Sequence, residues 1–127
     1  MTLQTILIVD DNKEFRRSLS LSLRDMGLKI LEAGDSIGCF ETLMQCLDRG
    51  ETIDAVVIDG RMPALDGYWL ADQIESHWPC LPLVILTAYP RPVNHRNHRV
   101  MTKPVKPEEL IKTIDHIRLG RNAEIIS

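Results

Sequence analysis

The sequence lacks the features that mark membrane and secreted proteins. No apolar stretch approaches the roughly 20 residues that a membrane-spanning helix needs, and the N-terminus has no basic stretch leading into an apolar segment. Cysteine is scarce and forms no CxxC pair, the three residues being Cys39, Cys46 and Cys80. An odd count without a secretory signal is typical of free thiols in a reducing compartment, so we expect a cytoplasmic protein with no membrane partner.

An excess of positive charge is absent as well. Lys and Arg total 15 against 18 Asp and Glu, which gives a net charge of −3 and a pI near 5.8. Proteins that hold nucleic acid through bulk charge are basic, so we expect no direct binding to nucleic acid.

What is present is an alternation of strand and helix patterns along 127 residues, a length that suits one domain with its own core. Short apolar runs alternate with segments whose apolar residues recur at helical spacing. The alternation predicts an α/β fold, a doubly wound five-stranded parallel sheet with helices on both faces. The predicted strands are about Thr5 to Val9, Leu28 to Ala33, Ile53 to Ile58, Leu83 to Leu86 and Val100 to Thr102.

The helices are predicted from apolar stripes that follow each strand. Asp11 or Asn12 can cap the first helix and Ser36 the second. Gly120 is expected to end the last helix, which gives a domain over residues 1–120 and a C-terminal tail over residues 121–127. The stripes are Phe15, Leu19, Leu23 and Met26; Phe40, Leu43, Met44 and Leu47; Leu70, Ala71, Ile74 and Trp78; and Leu110, Ile111, Ile114 and Ile117.

Polar residues stand where four of the predicted strands end. Asp10 and Asp11 follow the first strand, and Asp59 follows the third. Thr87 and Lys103 end the fourth and fifth. The carboxyl ends of the strands are where doubly wound sheets form their sites, so these side chains are expected to converge. Each residue alone has an ordinary explanation, since loop aspartates often cap helices or make turns.

The predicted cluster suits a divalent cation and a phosphoryl group. Crowded carboxylates repel one another unless a cation neutralises them, and oxygen ligands suit a hard ion, Mg²⁺ or alternatively Mn²⁺. One oxygen of Asp59 could attack phosphorus and form an acyl phosphate. Lys103 could balance the remaining negative charge, and Thr87 could donate a hydrogen bond to a phosphoryl oxygen.

The stretches around these residues resemble the receiver domains of two-component response regulators. The resemblance covers about Leu3 to Leu119 and implies a flavodoxin-like sheet of strand order 2-1-3-4-5. It also implies a phosphoprotein whose partner is a sensor histidine kinase or a phosphotransfer protein. The matching stretches are Ile6-Leu7-Ile8-Val9-Asp10-Asp11, Asp59-Gly60-Arg61-Met62-Pro63-Ala64-Leu65-Asp66-Gly67, Thr87-Ala88 and Lys103-Pro104.

The same resemblance implies roles for single residues. Asp59 would be the phosphoacceptor. Together with Asp10, Asp11 and the backbone carbonyl of Arg61, it would form the Mg²⁺ site. Thr87 would supply the switch hydroxyl, and Lys103 would bind the phosphate. The peptide bond before Pro104 would be cis.

The chain departs from that family between Thr87 and Lys103. Only 15 residues separate them (103 − 87 − 1), and the segment from Tyr89 to Arg99 has two prolines and no apolar stripe. We therefore predict that the fourth helix is shortened or absent. Val100 stands where the family usually has the aromatic half of its switch, so the output face is expected to be atypical.

The same segment is rich in basic residues. It could be a docking loop, it could hold a metal through His95 and His98, or it could be an ordinary solvated loop. The basic residues are Arg91, His95, Arg96, His98 and Arg99.

Arg61 and Tyr89 each lie two residues after a residue of the predicted site, Asp59 and Thr87. By the resemblance they would flank the acyl phosphate, where long side chains could hinder attacking water and slow hydrolysis. The alternative is that both point into solvent.

The leading interpretation is a phosphorylation-switched signalling domain that catalyses its own phosphorylation and dephosphorylation, and is otherwise not an enzyme. The alternative is a receiver fold that acts as a phosphorylation-independent protein interaction module. A Mg²⁺-dependent phosphatase is disfavoured because such enzymes usually place a second aspartate where this chain has Arg61. The downstream effector is not identified by the sequence, and a homodimer is compatible with it.

Overall fold

The computed structural model describes residues 3–62, 65–90 and 98–126. Its main sheet has five parallel strands in the order β2-β1-β3-β4-β5. The predicted doubly wound sheet of order 2-1-3-4-5 is thereby confirmed. The strands are β1 (Thr5–Val9), β2 (Lys29–Ala33), β3 (Ala55–Asp59), β4 (Leu83–Thr87) and β5 (His98–Thr102).

In the described ranges, four helices cover the two faces of the sheet. Alternate side chains of a strand point to opposite faces, so β1 contributes to two cores. Ile6 and Ile8 pack with α1 and α4, while Leu7 and Val9 pack with α2 and α3. The helices are α1 (Lys13–Asp25), α2 (Ser36–Asp48), α3 (Gly67–His77) and α4 (Pro107–Ile126).

The fourth helix of the receiver pattern does not appear among the described residues. Ten residues lie between Thr87 and His98 (98 − 87 − 1). Residues 88–90 are not helical, and residues 91–97 lie outside the described ranges. The four described helices agree with the prediction of a shortened or absent fourth helix.

One helix cap agrees with the sequence-based expectation, one differs from it, and one was not predicted. Asn12 caps α1 as predicted, because its side chain accepts a hydrogen bond from the Phe15 N–H at 3.0 Å. Asp35 rather than Ser36 caps α2, accepting from the Gly38 N–H at 2.7 Å. A third aspartate, Asp66, caps α3.

The inward face of α2 is rotated from the predicted one. Met44 and Leu47 are 48% and 60% exposed, whereas Cys39 and Cys46 are buried beside Leu43. Apolar residues occupy more than one side of this helix, so spacing alone does not select the buried stripe. Burial raises the pKa of the Cys39 thiol to about 12, which keeps it protonated.

The last helix continues through Gly120 to Ile126, so the expectation that Gly120 ends it is wrong. Gly27 and Gly50, which follow α1 and α2, have φ angles of 90° and 69° that favour glycine. Gly120 does not adopt such an angle, and a glycine inside a helix costs only about 1 kcal/mol relative to alanine. The division at residue 120 stays a prediction. Within the described ranges, no helix combines the length and apolar character of a membrane span.

Candidate phosphoryl-transfer site

Three carboxylates meet at the carboxyl edge of the sheet. Asp10 and Asp11 follow β1, and Asp59 ends the neighbouring strand β3. Asp10 is 2% exposed and Asp59 is 9% exposed, while Asp11 is open to solvent. One oxygen from each of the three lies within 4.8 Å of the others. The fold therefore brings together the three acidic residues expected to hold a cation.

Lys103 supplies the positive charge of this cluster. Its ammonium lies 3.3 Å from Asp59 Oδ1 and 3.6 Å from Asp10 Oδ2. It also lies 4.2 Å from the centroid of the Phe15 ring, a cation–π contact from the first turn of α1. The peptide bond from Lys103 to Pro104 is cis. Three carboxylates against one ammonium leave the cluster with an excess of negative charge.

Asp10 carries the electrostatic cost of this arrangement. The pKa of its carboxyl is raised to about 6, chiefly by burial and in smaller part by the neighbouring Asp59 and Asp11 carboxylates. The backbone N–H of Asn12, which donates to Asp10 Oδ1 at 2.9 Å, and the ammonium of Lys103 act in the opposite direction and lower that pKa. A divalent cation would relieve the same repulsion.

Arg16 fixes the backbone beneath the cluster. Its Nη1 donates to the carbonyl oxygen of Asp10 at 2.6 Å, and its Nε donates to Glu32 Oε1 at 3.0 Å. Arg16, Glu32 and Phe15 were not predicted from the sequence as parts of the site. Phe15 was visible as a member of the α1 stripe, but no local signal indicates the Arg16–Glu32 pair, which joins a helix to the edge strand β2.

Thr87 lies beside the acceptor strand with its side chain buried. Its Oγ1 accepts a hydrogen bond from the Tyr89 N–H at 3.2 Å, and its carbonyl accepts one from the Lys103 N–H at 2.9 Å. A Cβ on Gly60 would lie 2.8 Å from Thr87 Cβ, so only glycine fits between them. The hydroxyl therefore adjoins the residue that follows Asp59.

Gly67 allows the loop after the acceptor to fold back on it. The Gly67 N–H donates to the Gly60 carbonyl at 3.3 Å, and a Cβ on Gly67 would overlap the backbone carbonyl of Asp59. A two-residue ribbon pairs Arg61 with Asp66 in this loop. Glycine is needed at position 67 because the backbone there approaches the acceptor too closely for a residue with a Cβ.

Arg61 and Tyr89 contact each other at the rim of the site. The Arg61 guanidinium carbon lies 4.9 Å from the centroid of the Tyr89 ring. Both side chains are exposed, Tyr89 by 68%. The Arg61 backbone N–H donates to Asp59 Oδ1 at 3.2 Å. Both side chains thus contact solvent, but as a stacked pair rather than independently.

The donor set at this edge fits a hard divalent ion. Carboxylate oxygens from Asp10, Asp11 and Asp59 are the ligand type that Mg²⁺ prefers, and Mg²⁺ keeps waters in its remaining positions. The net negative charge and the raised pKa of Asp10 both favour a cation there. Coordination by the Arg61 carbonyl stays a prediction.

Two features lie away from this cluster. His98 was expected in a loop, but it is buried as the first residue of β5, next to Glu75; its predicted partner His95 lies outside the described residues. A groove of about 900 Å³ lies at the opposite edge of the sheet, with Trp78 and Leu81 among its lining residues. None of the residues that line this groove belongs to the acidic cluster, so the groove is separate from the acidic site.

Comparison with known proteins gives a consistent family. The chain matches the family described as response regulator receiver domain over residues 6–115. It is 30% identical over 117 residues to protein RcaC of Microchaete diplosiphon and 40% identical over 83 residues to response regulator MprA of Mycobacterium leprae. These matches cover 86% and 65% of this chain but only 17% and 34% of the two relatives, so the chain spans a minor part of their length.

Solved structures agree on the fold. A response regulator receiver domain protein from Clostridium thermocellum has a TM-score of 0.74, with 97% of this chain and 99% of that chain covered at 23% identity. The chemotaxis protein CheY4 of Vibrio cholerae has a TM-score of 0.71, with 91% of this chain and 99% of that chain covered at 25% identity. Since the family match spans 110 of the 127 residues (115 − 6 + 1), this chain belongs to the response regulator receiver domains of two-component systems.

Proposed function

We propose that this domain is a phosphorylation switch, in which Asp59 accepts a phosphoryl group from a phosphohistidine on a partner kinase or phosphotransfer protein. The observation that carries this proposal is the Asp59 carboxylate itself. It stands at the end of β3, 3.3 Å from the Lys103 ammonium and close to two further carboxylates. Such a set supplies a nucleophile, a counter-charge and cation ligands in one place.

The two oxygens of Asp59 are not equivalent. Among the described residues, the hydrogen bonds from Lys103 Nζ and from the Arg61 N–H both reach Oδ1. Oδ2 keeps its lone pairs for attack on phosphorus. In the proposed step an Asp59 oxygen–phosphorus bond forms as the phosphorus–nitrogen bond of phosphohistidine breaks. The electron pair of that bond returns to the ring nitrogen, which leaves as neutral imidazole when the other ring nitrogen carries a proton.

The other residues of the site stabilise the transferred group. Lys103 already lies beside the acceptor and would offset the charge that the phosphoryl group adds. Thr87 accepts a hydrogen bond from the Tyr89 N–H, so its own hydroxyl proton is available for a phosphoryl oxygen. Asp11 and Asp59 directly, and Asp10 through water, would hold a bound Mg²⁺, which would neutralise charge on the phosphoryl oxygens.

We propose in addition that the response to phosphorylation does not use an aromatic switch. Val100 on β5 is partly buried against the core on the α2 and α3 face, and it has no ring that could follow Thr87 inward. The Thr87 hydroxyl accepts a hydrogen bond from the Tyr89 N–H, so residues 88–90 could transmit a displacement of Thr87.

The phosphorylation-independent alternative is less well supported, because it gives no reason for a cluster of three carboxylates, two of them buried, with its own lysine. Incubation with phosphoramidate, a small phosphorus–nitrogen donor, and measurement of the intact mass separate the two. We expect the mass of one phosphoryl group to be added with Mg²⁺ and not with chelator. Asp59→Asn should abolish the gain, while Asp48→Asn, an exposed carboxylate on α2, should not. No gain in the wild-type protein would favour the interaction module.

A further inference from the structure

A second cluster of metal-ligating side chains lies away from the phosphoryl site. It consists of Asp72 and Glu75 on α3 and His98 at the start of β5. One ligand atom from each residue lies within 4.8 Å of the other two. Asp72 and Glu75 are three positions apart, so both carboxylates are on one face of the helix. The strand residue Thr102, next to the phosphoryl site, is four positions and about 13 Å along β5 from His98.

The spacing within the cluster suits a shared ion. His98 Nε2 lies 3.5 Å from Glu75 Oε2. This separation is longer than the roughly 2.7–3.2 Å of a direct N–H···O hydrogen bond. Two ligands that bind one tetrahedral ion at about 2.0–2.1 Å are about 3.4 Å apart. The pair is therefore spaced as two ligands of one ion would be.

The solvent exposure of the three side chains increases from His98 through Glu75 to Asp72. The side chain of His98 is 1% exposed and that of Glu75 is 27% exposed, while Asp72 lies at the surface. The imidazole is thus held in place by packing, and the side of the cluster that faces solvent is the side of Asp72. An ion could enter from that side and keep water in its remaining coordination position.

The donor chemistry differs from that of the site at Asp59. One imidazole with two carboxylates suits a borderline ion such as Zn²⁺, whereas the all-oxygen cluster at the sheet edge suits Mg²⁺. We propose that Asp72, Glu75 and His98 form a binding site for a divalent transition-metal ion, with Zn²⁺ as the best match. The ion would tie α3 to β5.

Calorimetric titration with Zn²⁺ tests the proposal on the full chain, freed of metal with chelator and held in excess Mg²⁺ to occupy the acidic site. We expect each chain to bind one Zn²⁺ through the cluster, and we expect the melting temperature to rise on binding. Glu75→Gln and Asp72→Asn should each weaken this binding at least tenfold, and His98→Asn should abolish it. The matched variants Glu41→Gln and His116→Asn, at exposed helix positions, should bind as the wild type does.

If His98→Asn disturbs folding, Glu75→Gln and Asp72→Asn still test whether the cluster binds Zn²⁺, because Asp72 and Glu75 are accessible to solvent. Replacement of Zn²⁺ by Co²⁺ adds a spectroscopic readout. A visible d–d absorption without a thiolate band, lost in Glu75→Gln, is expected, and a thiolate band would assign the ion to Cys80 instead. The proposal is overturned if the wild type takes up no Zn²⁺, or if uptake is unchanged in both Glu75→Gln and Asp72→Asn.

Discussion

Replacement of Asp10 by asparagine should stabilise the fold at neutral pH, although it removes a residue of the site. Its carboxyl has a pKa of about 6 in the folded chain, against an ordinary value of 3.8. Below pH 3.8 both the folded and the unfolded chain hold the proton. Between the two values only the folded chain holds it, and above about pH 6 the folded chain carries a buried charge. Stability from this group is therefore present in acid and is lost as the pH rises through 6.

The size of the loss follows from the difference of about two pKa units. At about 1.4 kcal/mol per unit, ionised Asp10 lowers the free energy of unfolding by about 3 kcal/mol at pH 8. Asparagine resembles the protonated carboxyl, so Asp10→Asn should be more stable than the wild type by about 3 kcal/mol at pH 8 and by less than about 1 kcal/mol at pH 4.

Urea unfolding of both proteins at pH 4, 6 and 8, with chelator present, measures this difference. The exposed Asp25→Asn on α1 is the matched control and should show no such trend. Mg²⁺ should reduce the difference in stability between the two proteins at pH 8, because the cation compensates the negative charge of Asp10 in the wild type. A variant that is equally stabilised at all three pH values, or destabilised at pH 8, would refute the electrostatic account of Asp10.

Three further variants, the last with a matched control, test other contacts. Phe15→Leu removes the ring beneath the lysine ammonium, a contact of about 1 kcal/mol, and should slow phosphorylation about fivefold in a stopped-flow or mass time course; an unchanged rate would contradict a positioning role. The double variant Arg61→Ala, Tyr89→Ala removes the stacked pair and should hasten loss of the phosphoryl group, whereas an equal lifetime would refute shielding. Gly67→Ala should destabilise the fold by about 2 kcal/mol through overlap with the acceptor's carbonyl. In contrast, Gly120→Ala meets no neighbour and should be neutral or stabilising.

The strands and the convergence of the site could be predicted because their signals are local. β3 and β4 are covered on both faces, so they are continuous apolar runs, and the residue that ends each run is placed by the fold at one edge. The order of the strands is a long-range property, and it came from the resemblance of the motifs around Asp59 and Lys103 rather than from periodicity.

The wrong prediction for α2 and the unpredicted contacts have physical causes that cannot be read from local sequence. Met44 and Leu47 are apolar and correctly spaced, yet Cys39 and Cys46 occupy the core, because the sheet decides which side of α2 is buried. The cation–π contact between Phe15 and the lysine joins residues 88 positions apart (103 − 15). Such contacts depend on packing between elements and leave no local pattern.

The histidine cluster was missed for a related reason. His98 was grouped with His95 because they are close in sequence, whereas its neighbours in space are Glu75 and Asp72 on α3. Only the parallel pairing of β5 with β4 brings the first residue of β5 next to that helix.

The acceptor residue itself is the central claim, and chemical trapping tests it most directly. Borohydride reduces an aspartyl phosphate to homoserine, which a peptide map locates by its change in mass. After treatment with phosphoramidate and Mg²⁺, we predict homoserine at position 59, and none there when Mg²⁺ is removed. Homoserine at position 10 or 11 with an unmodified Asp59 would contradict the account.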